Sequence, residues 1–570
     1  MPQTRRPRVT GVPGGQTGGS VRRTSLGKVL RGQFEPHRVA LLKPVNVGLM
    51  AELAAERHGR VPLFLDQPFA WDPEQRTELD YVEFAHLVEQ FSAVLKAAGV
   101  KRWDRVAIVK TPNYDVQALA WAAARIGAVP ALLSAGLDPD IINILLERLQ
   151  ARFLVTDPRT AEYARLDRAR LEALGVRAIA DIDGGVPVED LWGGAVPAPT
   201  PLKDEDPMMI THTSSTTGVS KLAETSAKAV SFSAFMESVF PFLHNGNELF
   251  ASAISHVHVR GAITQQAAFS RGTPLLGIGR PDDETMLRLL QRHRPTILEA
   301  HPNAYVGWER LLDDPAQPFA GVRIFINTFD AIHPRTIRRF LDASTRALPL
   351  WWQCYGMTET QVVSVRPYTR RSAARLIGRD SRSVGWEVPG VRARIADPAT
   401  GKRRGSQSEP GMIQARTRAR ALSFVGTPEK FSERRHGKWF DTGDWGRRGR
   451  WGQLEILDRV ADRIDGVDSC LWLEDVLMDR IPEAEEIVVV PDGEGRPVPV
   501  ICMRDGKALD PLAWKSAAVG LTGLGEPFVV SPEDLRRTAT VKARRYLLTE
   551  MIKNGRPAPV SPDVVLRDGA

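Results

Sequence analysis

The apolar positions of this chain fall into two rhythms. In "DRVAIVKTPNYDVQALAWAAARIGAVPALLS" an unbroken β-branched run reads as a buried strand. A helical period follows from Tyr114 to Ile126, and then a second short apolar run, which together make a strand–helix–strand unit. The same order recurs in "RPTILEAHPNAYVGWERLL" and in "VRIFINTFDAIHPRTIRRFL", where a buried strand ends in a polar turn that starts a helix. Units of this kind predict parallel sheets with helices on both faces, and ligands at the carboxyl ends of the strands. From Gly385 to Leu457 the rhythm shortens to alternating runs ("RARIADP", "GMIQART", "GQLEILD") between Gly, Pro and charged turns, the pattern of β-hairpins. Beyond it, helical "LWLEDVLMDRI", strand-like "EEIVVVPD" and "PVPVICM", and an amphipathic helix near "VKARRYLLTEMI" read as a small α+β domain.

The predicted fold is therefore α/β. A large N-terminal domain of βαβ subdomains plus a β-rich subdomain spans 41–458, and a small α+β C-terminal domain spans 459–555. Residues 1–40 form a basic, Gly/Ser/Thr/Pro-rich leader expected to be disordered, and 556–570 a tail. The leader has no apolar core of the secretory kind. No window approaches the roughly 18 uninterrupted apolar residues of a transmembrane helix, so no membrane partner is expected. Cys354, Cys470 and Cys502 are widely spaced and odd in number. They form neither a zinc pattern nor a disulfide framework, which fits a reducing cytoplasm. The net charge of +8 arises largely from the leader and from "GKRRG" and "RTRAR". No dense basic face with interleaved aromatics accompanies it, so nucleic acid is not an expected partner.

The chemistry begins in "HTSSTTGVSKLAE". Its hydroxyls, Gly218 and Lys221 are the donors of a phosphate-gripping loop, but the spacing of a Walker loop is missing. "WWQCYGMTETQ" then places Tyr355, Thr358 and Glu359 directly after an apolar run, where they offer a ring to stack on a base, a hydroxyl for a phosphate and a hard oxygen ligand for Mg²⁺. "WFDTGDWG" brings Asp441 and Asp444, suited to the vicinal hydroxyls of a ribose; "LDRVADRI" brings Arg459, and "LRRTATVKARRY" brings Lys542 and Arg545.

In this order, these five segments resemble the adenylate-forming superfamily of acyl- and aryl-CoA synthetases, peptide-synthetase adenylation domains and luciferases, from about residue 50 to 553. The resemblance implies that a carboxylate attacks the α-phosphate of Mg·ATP to give an acyl-adenylate and pyrophosphate, and that a second nucleophile displaces AMP. It also implies a C-terminal domain that is mobile between the two steps. By the same likeness, Thr213, Ser214, Ser215, Thr216, Thr217, Gly218 and Lys221 handle the β- and γ-phosphates, Tyr355 stacks on adenine, Asp330 lies on the nucleotide side, Asp444 grips the ribose and Arg459 lies nearby. Thr358, Glu359 and Lys542 are the expected catalytic residues, at the α-phosphate, the Mg²⁺ and the attacking oxygen respectively. His256 in "SHVHVRGA" falls at the gate of the acid pocket, and Arg260 is a candidate partner for an anionic substrate.

The departures bear on the acceptor. Phe329 stands where glycine is common, Val541 replaces the glycine before the family's lysine, and Ala461 occupies the acidic hinge position, with Asp462 beside it. Asp468 stands where CoA-using members carry a glycine. A carboxylate there disfavours CoA and leans the reading to an amine acceptor, as in the amide synthetases of secondary metabolism. An acyl- or aryl-CoA ligase, an ATP-dependent diazotase that activates nitrite, and a degenerate nucleotide-binding sensor stand as alternatives. The partners expected are a small-molecule acid and a small-molecule nucleophile.

Overall fold

A computed structural model describes residues 44–213, 219–238, 248–375, 382–532, 534–535 and 543–554. The predicted leader and tail lie outside these. The first strand–helix–strand unit is strand Arg105–Lys110, helix Asp115–Arg125 and strand Val129–Ser134. Its strands pair in parallel from Arg105↔Val129 to Lys110↔Ser134. The helix is buried along its whole length. It packs against helices Val47–His58 and Tyr81–Ala97. Alanines at 118, 120 and 122–124 let those neighbours approach closely, and Trp121 fills the remaining space edge-on to Phe84. This unit is the centre of an eight-stranded sheet.

The second sheet has fourteen strands. A run of parallel neighbours passes through Pro62–Leu65, Leu275–Gly277, Phe250–Ala253, Ile297–Ala300, Ile324–Asn327 and Leu350–Met357. At Leu350–Met357 the direction changes. That strand returns through a tight turn into the antiparallel strand Gln361–Tyr368, with a register shift between Tyr355 and Gly356. The turn closes so tightly that a Cβ on Gly356 would stand 2.2 Å from the Gln361 carbonyl oxygen, so only glycine fits. Beyond the turn the sheet continues antiparallel through Ser383–Glu387, Leu454–Arg459, Trp439–Arg448, Gly411–Arg416 and Arg392–Ala396, the hairpins read from the shorter alternation.

A third sheet of three strands, Ala484–Pro491, Pro497–Met503 and Phe528–Val530, carries helices Cys470–Arg480 and Arg545–Asn554. This C-terminal part is tied to the large sheets by polar contacts. Arg335 donates to the carbonyls of Pro482 (2.9 Å) and Ala484 (3.3 Å), and Arg504 reaches the buried Glu309 at 3.0 Å. No described helix is long and apolar enough to cross a membrane.

Asp458 lies at the junction, 4% exposed, with both carboxylate oxygens accepting from the Cys470 N–H at 3.1 and 3.0 Å. Burial, reinforced by Glu474, pushes its pKa up to about 7. A carboxyl whose folded pKa exceeds its unfolded one binds its proton more tightly when folded, so its contribution to stability falls as pH rises from about 4 to about 7. Asp458→Asn should therefore melt above the parent protein at pH 8, with the gap shrinking steadily on acidification; thermal melts across this range that run parallel would contradict the assignment.

Candidate active site

Two cavities meet behind the Tyr355–Gln361 turn. One, of about 570 Å³, is lined by Thr213, Lys221, Thr358 and Glu359; the other, of about 440 Å³, by Asp330, Tyr355, Asp444 and Ala543. Phe329, Cys354, Gly356 and Arg459 line both. The carboxyl ends of parallel strands supply part of these walls, through Thr328 and Phe329 after Ile324–Asn327 and Cys354 to Met357 at the end of Leu350–Met357.

The first cavity has a cationic end. The Thr213 N–H donates to the Lys221 carbonyl at 2.8 Å, and the Lys221 N–H donates to Thr213 Oγ1 at 3.1 Å, so the base of the loop is closed. Ser214, Ser215, Thr216, Thr217 and Gly218 lie outside the described residues. The Lys221 ammonium sits 5.3 Å over the ring of Phe424, and burial, then the charge of Arg434, holds its pKa below the usual lysine range. Arg148, Lys430 and Arg434 face the same space. Clustered cations of this kind repel one another until an anion binds, which suits a polyphosphate.

Glu359, 3% exposed, holds the cluster together: its Oε1 accepts from Arg434 at 2.6 Å. Arg434 is itself fixed by two bonds to the Asp441 carbonyl (3.1 and 2.7 Å) and by the Phe440 ring beneath it. Glu359 is the one carboxylate among the described residues lining this cavity, and no described group of three ligands could cage a metal. A single carboxylate fits Mg²⁺ that arrives on nucleotide phosphates, because that ion is ordinarily held by one or two carboxylates with substrate oxygens and water.

On the other side, the Tyr355 hydroxyl donates to Asp444 Oδ2 at 2.7 Å, and Arg459 Nε stands 3.5 Å from Asp444 Oδ1. Asp444 and Arg459 face each other across adjacent strands. Asp441 belongs to a different network, with Gln414 at 2.7 Å and His436 at 3.0 Å. Lys542 lies outside the described residues; its neighbour Ala543 lines the Tyr355 cavity. Arg545 is bound to Glu474 at 2.6 and 3.0 Å and approaches Asp462 at 3.7 Å. Asp468 and Ala461 are exposed, and Ala461 borders the first cavity.

The structure places the two residues expected at the acid pocket as follows. His256 does not face it. Its ring is buried edge-on to Tyr114 at 5.1 Å, and burial lowers its pKa to about 4. The segment is a turn, and His258 is the residue that reaches the cavity. His258 caps helix Val259–Arg271, accepting the Arg260 N–H on Nδ1 at 3.1 Å. With Nδ1 used as an acceptor, Nε2–H donates to Thr358 Oγ1 at 3.1 Å and fixes that hydroxyl. Arg260 does line the cavity, but its charge is spent. It grips Glu299 with two bonds, at 2.7 and 3.2 Å, and pairs with Glu237. Cys354, beside this cluster, has its pKa pushed up to about 12 by burial, which suits a packed thiol and not a nucleophile.

Likeness to known proteins agrees with the geometry. The profile of the AMP-binding enzyme family matches residues 52–422. The chain is 38% identical over 535 residues to the 3-amino-2-hydroxy-4-methoxybenzoate diazotase of Streptomyces cremeus, covering 90% of this chain and 96% of that protein. It is 26% identical to the 3-hydroxybenzoate–CoA ligase of Aromatoleum sp. (strain CIB), covering 84% and 92%. Among solved structures it resembles the amide bond synthetase McbA of Marinactinospora thermotolerans, at a TM-score of 0.71 and 19% identity, covering 89% of this chain and 100% of that one. The chain belongs to the AMP-binding enzymes, the ATP-dependent adenylate-forming ligases.

If Arg434 is part of the phosphate site, Arg434→Ala should raise KM for ATP by about tenfold or more, the worth of one charge-assisted hydrogen bond. Steady-state kinetics with an unchanged ATP dependence would remove it from the site.

Proposed function

We propose that this enzyme is an ATP-dependent diazotase, which adenylates nitrite and delivers its nitrogen to an aromatic amine of the aminobenzoate class. The observation that carries the reading is the 38% identity to a diazotase along nearly the whole of both chains, against 26% for the 3-hydroxybenzoate–CoA ligase. The amine acceptor inferred from Asp468 agrees with it. Arg260, which pointed to an anionic substrate, no longer supports it, because Glu237 and Glu299 already engage that guanidinium.

In the first step, a nitrite oxygen attacks the α-phosphorus of ATP. The bond to the bridging oxygen breaks, pyrophosphate leaves, and nitrite and AMP are joined as a mixed anhydride. Lys221 and Arg434 hold the departing phosphates, Thr358, fixed by His258, contacts the α-phosphate, and Asp444 with Arg459 orients the ribose. Lys542 stabilises the charge that develops between the attacking oxygen and the phosphorus. Glu359 would hold Mg²⁺, which would supply charge neutralisation for the departing pyrophosphate. In the second step, the small C-terminal domain turns about Ala461–Asp462 and the amine attacks the anhydride nitrogen. The N–O bond breaks, AMP leaves and the amine nitrogen loses a proton. The N-nitrosamine isomerises to a diazohydroxide, takes up a proton and loses water to give the diazonium product. The substrates are small molecules, and the enzyme acts in the cytoplasm.

Pyrophosphate exchange into ATP should depend on nitrite, and nitrite with an amino-hydroxybenzoate should yield AMP, pyrophosphate and a diazo chromophore. Lys542→Ala should depress the exchange by about a hundredfold or more while nucleotide binding persists. Exchange with a carboxylic acid and none with nitrite would contradict the reading and restore an amide synthetase or CoA ligase.

A further inference from the structure

Phe329 is held in a conformation that side chains avoid. Its φ is +80°, the most positive of the non-glycine residues in the described structure. In this left-handed region a Cβ crowds the backbone, so glycine is the residue that fits without strain. The turn leaves little choice. It follows strand Ile324–Asn327 and is fixed by Asn327 Nδ2 donating to the Asp330 carbonyl at 3.1 Å and by the Ala331 N–H donating to Asp330 Oδ1 at 2.9 Å. An aromatic residue here keeps its strain for some return.

The ring shows where that return lies. It stands between two histidines, edge-on to His258 at 4.5 Å and tilted on His301 at 4.2 Å, and forms part of the wall of both cavities. His258 is the residue that fixes Thr358, so the ring packs against the holder of the side chain expected at the α-phosphate.

We infer that Phe329 is the size filter for the acid. Its ring occupies the space next to the His258–Thr358 pair into which the body of an aryl or alkyl carboxylic acid would extend, so only a small oxyanion approaches the α-phosphate there. This deepens the nitrite reading and rests on it for the identity of the oxyanion, but not for the role of the ring. Discrimination arises because a larger acid must displace a clamped side chain rather than enter open space.

The test is pyrophosphate exchange with the full chain, comparing the parent with Phe329→Gly and Phe329→Asn over nitrite, formate, acetate, benzoate and aminobenzoate. Glycine accepts the backbone angle and removes the ring; asparagine tolerates the angle and keeps a small side chain, which guards against loss of folding in either one. The expected result is a gain with benzoate relative to the smallest accepted acid of about tenfold or more in both variants, with KM for ATP little changed. An unchanged ratio in folded variants that still bind ATP would overturn the filter. If the parent takes carboxylic acids and not nitrite, the diazotase reading fails, and the formate-to-benzoate series still decides whether Phe329 sets the size limit.

Discussion

The ion pair of the buried Glu359 with the half-buried Arg434 is the constraint on which the site depends. Arg148, Lys221, Lys430 and Arg434 border one cavity, and without a counter-charge they would repel one another and the chain that carries them. A carboxylate 3% exposed, bonded to the guanidinium at 2.6 Å, supplies that charge from the turn that also presents Thr358. Removing the carboxylate would leave the partly exposed Arg434 guanidinium beside the other cations without that counter-charge. The geometry of the turn and the gathering of cations are thus one feature: the carboxylate suited to a metal also holds the cationic end of the cavity together.

The sheet places this pair. Parallel strands open their carboxyl ends toward one side, and the strand Leu350–Met357 reverses there into Gln361–Tyr368. The reversal needs Gly356 for closeness, and it is followed by Gln361 at φ +57°; across the cavities stands Phe329 at +80°. Two non-glycine residues with positive φ thus border the cavities, where side-chain direction matters more than backbone comfort. The C-terminal part meets the large sheets through polar contacts such as Arg504–Glu309, the type of contact that can be exchanged for another when a domain turns.

Much of this was legible in the sequence, for a physical reason. Strand and helix periods are local, so the unit from Arg105 to Ser134 and the hairpins after Gly385 could be read directly. Tyr355, Thr358 and Glu359 are adjacent in the chain and so kept their relation in the fold. The errors arose where a role depends on distant partners. Arg260 looked free because Glu237 and Glu299 lie 23 and 39 residues away. His256 was the residue expected at the gate, but the segment is a turn, and the helix cap His258 is the one that reaches the cavity. Arg434 carried no local signal, since its importance comes from Glu359, 75 residues earlier. Phe329 stood out as a bulky residue in a glycine position, but its backbone angle and its two histidine neighbours were not legible there.

The central claim is that nitrite itself becomes bonded to the α-phosphate. Nitrite labelled with heavy oxygen, turned over with ATP and an amino-hydroxybenzoate, tests it directly by mass spectrometry of the AMP formed. The account predicts one labelled oxygen in the phosphate of each AMP, because the N–O bond breaks on the nitrogen side. AMP without label, formed in step with the diazo product, would contradict it.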